Sequence, residues 1–147
     1  MGSGILGTKA TLFADINLIL QVILLAMLVF AAWEARRGKV GRHHGIMTAA
    51  VVINAAAIVA VMNPAFFRVL PFAVRNPGAP GPTVMWPHVA LGAVAELLGA
   101  YVVIRLRLDP MRVSRLGTLK SVMIATFALW TAALLMGIAV YYVWHVR

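Results

Sequence analysis

The chain has 147 residues, 63% of them hydrophobic and 12% charged, with a formal net charge of +9 and no cysteine. Soluble domains run about 45–50% apolar and about 25% charged, so the composition excludes an ordinary soluble domain and predicts an integral membrane protein. Without cysteine, disulfides, thiolate metal sites and a cysteine nucleophile are excluded; positive charge placed beside apolar runs points to anionic headgroups and membrane orientation, not to nucleic acid.

A bilayer core takes about 20 apolar residues per helix, which leaves room for four spans in a single domain over residues 1–147. The first ten residues, small and flexible, read as a free tail. The run 12–33 is too long for a signal-peptide core and predicts the first span. Asp15, Asn17 and Gln21 fall in its first turns, where interfacial solvation and helix capping account for them. The stretch 34–44 reads as a short basic loop, and span two follows over about 46–62, ended by Asn63-Pro64. Asn54 lies near its midpoint, where an amide is expected to hydrogen-bond across to another helix.

Residues 63–85 hold five of the seven prolines, which predicts a loop instead of a regular helix. Phe66, Phe67, Leu70 and Phe72 give that loop enough apolar surface to lie on the interface or cover helix ends. Span three covers about 86–105, a second basic loop runs from Arg107 to Lys120, and span four covers about 121–144. The expected fold is thus an all-α four-transmembrane-helix bundle in the cell (inner or plasma) membrane. The two basic loops, together with Arg105 at the end of span three, carry nine Lys and Arg residues against four on the opposite side. By the positive-inside rule those loops are cytoplasmic and both termini face outward, to the periplasm or extracellular space.

Ionisable residues within apolar helices are the candidates for function. Glu96 sits near the middle of span three, where an ionised carboxylate costs several kcal/mol; it is expected to be a neutral acid facing the bundle. Asn54, Thr126 and Thr131, each near the middle of its own span, are its expected partners in a buried polar network. Imidazole is a usual axial ligand for haem, and bundles build such sites from facing helices. His43 and Met47, four residues apart, share a helix face, so at most one of them can ligate a given haem. His88 and His145 belong to the opposite end, with His88 the more dependable because His145 lies near the chain end. Gly92 and Gly99 predict close helix approach.

The order of these features carries a family resemblance. A basic loop, His43-x-x-x-Met47 opening span two, Pro87-His88-x-x-Leu91 opening span three, a second basic loop, then Trp130 and Met136-Gly137-x-x-Val140-Tyr141 resembles the small four-helix CtaM/YozB-like family, over about residues 14–142. The resemblance implies an assembly or accessory factor of a respiratory haem-copper oxidase, with haem contacted transiently through His43 and His88 and a larger respiratory membrane complex as partner. Further family histidines, after span two and at the start of span four, have Arg68 and Leu119-Lys120 in their places. Two other readings stay open: a small b-type membrane cytochrome and a purely structural subunit. No acidic pair, nucleotide loop or nucleophile with a base is present, so no enzyme activity is expected.

Overall fold

The computed structural model describes residues 4–108 and 116–146; residues 109–115, most of the second basic loop, lie outside them. The described residues are helical, with no strand: α1 Leu12–Arg36, α2 Val40–Ala57, a π-helical turn Ile58–Met62, α3 Asn63–Arg75, α4 Pro80–Leu108, α5 Leu116–Tyr141 and a final π-helical turn Tyr142–Val146. Four helical stretches are long and apolar enough to cross a membrane: Leu12–Arg36, Val40–Arg75, Pro80–Arg107 and Lys120–Val146. The four spans expected from the apolar runs are all present.

Each start and stop has a local cause. Thr11 caps α1, its hydroxyl accepting from the Ala14 N–H at 3.3 Å. Gly38, with φ 74°, supplies the left-handed residue that turns α1 into α2 within three residues. The bundle closes as α1 packs on α2 and α5, and α4 packs on α2 and α5. Its core holds Leu24 and Leu28 of α1, Ala50 and Val51 of α2, Ala95 of α4, and Trp130 and Leu134 of α5. Leu97, Ile124, Val59 and Val29 are among the large apolar side chains left outward, as a lipid-facing surface requires. Gly99 is a close-approach point: a Cβ there would stand 3.2 Å from Val51 Cγ2. Gly92, expected to do the same, faces open space, and a Cβ added there would meet nothing within 4 Å.

Three expectations are corrected. The proline-rich segment 63–85 is not a loop, and Asn63-Pro64 does not end span two. Pro64 lacks an N–H and occupies the first turn of α3, while the preceding turn widens: the Asn63 N–H reaches back to the Ile58 carbonyl, five residues away. A π turn of this kind lets the helix pass a proline without leaving backbone groups stranded in lipid. Helix therefore runs on from Val40 to Arg75, 36 residues, or about 54 Å at about 1.5 Å per residue, well beyond the bilayer core. Its end, α3, sets Phe66 edge-on to Trp86 and Phe72 edge-on to Trp144, so it does cover the ends of α4 and α5.

The first ten residues are not a free tail either. From Gly4 onward they fold back over the bundle: the Gly4 N–H donates to the Ala10 carbonyl and the Lys9 N–H to the His145 carbonyl. Lastly, the basic loop 34–44 shrinks to the turn between Arg36 and Val40. Glu34 belongs to α1 and is 1% exposed, with Arg42 Nη1 3.7 Å from its Oε2.

Candidate functional site

The inward residues of α2, α4 and α5 leave a cavity of about 350 Å³ at the end where α1 turns into α2. His43, His44, Met47 and Thr48 come from the first turns of α2, Val102, Val103 and Arg107 from the last turns of α4, and Met123, Thr126 and Phe127 from α5. The walls are mostly aliphatic and aromatic, as ligand pockets usually are, with a few polar groups among them. His43 Nδ1 lies 2.9 Å from the Ala31 carbonyl oxygen on α1. A carbonyl can only accept, so Nδ1 is the donor in this contact and Nε2 is the nitrogen left to face a ligand, the arrangement in which a backbone carbonyl orients a metal-binding histidine. The His44 ring lies 5.6 Å from that of His43.

A second set of polar residues occupies the bundle interior. Asn54 Nδ2 donates to Glu96 Oε2 at 2.8 Å, joining the last turn of α2 to the middle of α4. Thr126, 3% exposed, donates at 2.8 Å to the Val122 carbonyl of its own helix. This back-bond satisfies a hydroxyl in apolar surroundings without help from a neighbour. Thr131 Oγ1 is buried without a partner. Of the four residues expected in one network, the structure therefore joins two, Asn54 and Glu96, directly.

His88 is half-buried. Its Nδ1 lies 2.9 Å from the Ala133 carbonyl of α5, and its Cε1 and the Gln21 amide oxygen stand 3.1 and 3.6 Å from where a Cβ on Gly137 would be. A side chain from α4 thus reaches across α5 toward α1, in space that only glycine leaves free. His145 lies elsewhere, its ring 5.2 Å from that of Tyr141. His43 and His88 are at different ends of the bundle: the α4 residues of the cavity, Gly99 to Arg107, begin about 16 Å along the helix from His88.

Asp15 is the residue that sequence reasoning misplaced most. It is 0% exposed, not solvated, and accepts hydrogen bonds from the Leu6 N–H at 2.9 Å and from the Tyr141 hydroxyl, which also meets the Thr8 hydroxyl at 2.8 Å. The spacing of a lone aspartate four residues past a capping threonine resembles an ordinary helix start. Only the fold-back of Gly4–Thr11 reveals its partners. Among the described residues, no group of three or more His, Cys, Asp or Glu side chains is placed to hold a metal ion.

Compared with protein-family models, with curated proteins and with solved structures, the chain matches none of them.

Proposed function

We propose that this chain is a non-catalytic membrane protein that assists or accompanies a respiratory haem-copper oxidase, receiving haem transiently in the cavity beside His43. The observation that carries the reading is the cavity itself: mostly apolar walls, the His43 imidazole of α2 anchored through Nδ1, and Arg107 lining it from α4. The residues present fit the group. Val102, Val103 and Phe127 suit a porphyrin face, and Arg107 suits a propionate. Met47 stands one turn from His43 and cannot reach the opposite face of the same ring system, so the fit is through one protein ligand. His43 is the residue that would hold the haem iron, and the bound group would supply a metal centre to be handed on. A site that offers a single candidate ligand, His43, would suit transfer better than permanent retention.

On this reading His88 and His145 are not ligands at the same iron, because the fold puts them at the other end. The expected orientation places the cavity on the cytoplasmic side of the cell membrane and both termini outside, by the distribution of Lys and Arg.

The test is titration of the purified chain in detergent with haemin, followed by absorbance in oxidised and reduced forms. Weak, reversible uptake that His43→Ala removes and His145→Ala leaves supports the reading. A haem retained at unit stoichiometry through purification would make the protein a b-type cytochrome, and no uptake would leave a structural subunit.

A further inference from the structure

Buried polar atoms in a helical bundle nearly always have partners, since an unmade hydrogen bond costs about 1–3 kcal/mol. Four buried side-chain atoms among the described residues depart from this: Glu34 Oε2, at the α1 to α2 turn with Arg42 Nη1 3.7 Å away, and three with no charged neighbour, Asn17 Oδ1, Gln21 Nε2 and Thr131 Oγ1. These three are not scattered. Asn17 and Gln21 are four apart on one face of α1, one offering an acceptor and the other a donor. Gln21 is 4% exposed, and its amide oxygen and the His88 ring both border the space beside Gly137.

Thr131 extends the same line. Gly81 is against Trp144 and Gly99 against Thr126, so α4 and α5 hold one antiparallel register along their length. In that register Gly137 is level with His88, and Thr131 is level with Val94, between His88 and Glu96. His88 and Glu96 are about 12 Å apart along α4. Ala95 and Ala133, both buried, keep the side chains between these levels small.

We propose that this seam takes water: a hydrogen-bonded file that begins at Asn17 and Gln21, passes His88 and Thr131, and brings solvent protons to Glu96 in the middle of the bilayer. The donor and acceptor types match. Asn17 Oδ1 accepts from water, the Gln21 amide donates to it, and the Thr131 hydroxyl does both. His88 Nδ1 is committed to the Ala133 carbonyl, so Nε2 is the nitrogen that meets the file. A proton arriving as hydronium forms Nε2–H as its O–H bond breaks; the imidazolium returns that proton from Nε2 to the next water and is neutral again. Glu96, held by Asn54, closes the file. None of this rests on the haem reading, which concerns the other end of the molecule.

Magic-angle NMR of the chain reconstituted in lipid tests the proposal. Water-edited spectra should show polarisation from water reaching Gln21, Thr131 and Glu96 severalfold faster than Leu24 and Leu28, which are 1% exposed and serve as dry references. After transfer to D₂O, the side-chain amide protons of Gln21 and Asn54 should exchange. In Thr131→Val, which removes the hydroxyl at nearly constant shape, exchange at Asn54 should slow severalfold while Gln21 is unchanged. Thr131→Ser should restore it. Transfer to the three polar residues as slow as to the two leucines would overturn the proposal, and so would Asn54 exchange that Thr131→Val leaves untouched.

Discussion

Asn54 and Glu96 meet at 2.8 Å between the last turn of α2 and the middle of α4, the amide donating to the carboxyl oxygen. Asn54 is 5% exposed, so its amide has no bulk water as an alternative partner within the bundle. A double-mutant cycle with Asn54→Leu and Glu96→Leu should give a coupling near the membrane-protein average of about 0.6 kcal/mol and no more than about 1.7. Glu96→Gln, which can still accept from Asn54, should unfold within a few degrees of wild type by thermal denaturation in detergent. A coupling of zero would show that the contact contributes nothing to stability.

The span pattern was legible because apolar length alone fixes it: nothing except a helix can carry the runs containing Leu24 and Leu28, Val51 and Asn54, Glu96, or Trp130 across lipid. The Asn54 to Glu96 contact followed from the cost of a mid-bilayer carboxyl. What could not be read was set by pairing between distant segments. Pro64 reads as a stop in any local rule; the widened turn that carries helix past it, with the Asn63 N–H on Ile58, is a response of the backbone that the side-chain pattern does not encode. Asp15 and Tyr141 are 126 residues apart, and neither carries a local sign of the other. Glu34 was hidden in a run of arginines, although its place on the α1 face of Leu24, Leu28 and Ala31 puts it inward at i+3 from a buried alanine.

Glycines on α4 make opposite predictions. A Cβ on Gly81 would stand 2.6 Å from the Trp144 ring, which Phe72 also contacts and which cannot yield as a flexible chain end does. Gly81→Ala should therefore destabilise by about 1–3 kcal/mol, the usual range for overpacking. Gly92 has nothing within 4 Å, so Gly92→Ala removes a helix-interior glycine at no steric cost and should stabilise by up to about 1 kcal/mol. Paired thermal melts in one detergent decide both. Equal effects of the two substitutions would show that Trp144 moves aside.

Orientation has a direct test because the chain has no cysteine of its own. Lys39 in the α1 to α2 turn and Gly78 before α4 are both exposed and lie at opposite ends. In intact cells an impermeant maleimide should label Gly78→Cys and not Lys39→Cys until the membrane is opened. The reverse pattern would invert the topology and place the His43 cavity outside.

The last prediction concerns the strap from Gly4 to Thr11. Its hold on the bundle runs through Asp15, whose carboxyl takes the Leu6 N–H on one oxygen and the Tyr141 hydroxyl on the other. Tyr141→Phe removes one donor and leaves the Thr8 hydroxyl without its phenol partner, while the Leu6 contact survives. Asp15→Leu is harsher: it strands the Leu6 N–H, at about 1–3 kcal/mol for a group left unsatisfied, and leaves the phenol with the Thr8 hydroxyl alone. Stability should fall in the order wild type, Tyr141→Phe, Asp15→Leu. Hydrogen exchange locates the change, since the Leu6 amide should remain slow in Tyr141→Phe and become fast in Asp15→Leu, with the amides of Leu24 and Leu28 protected in all three. A Leu6 amide that exchanges fast in wild type would show that the strap is not fastened at Asp15.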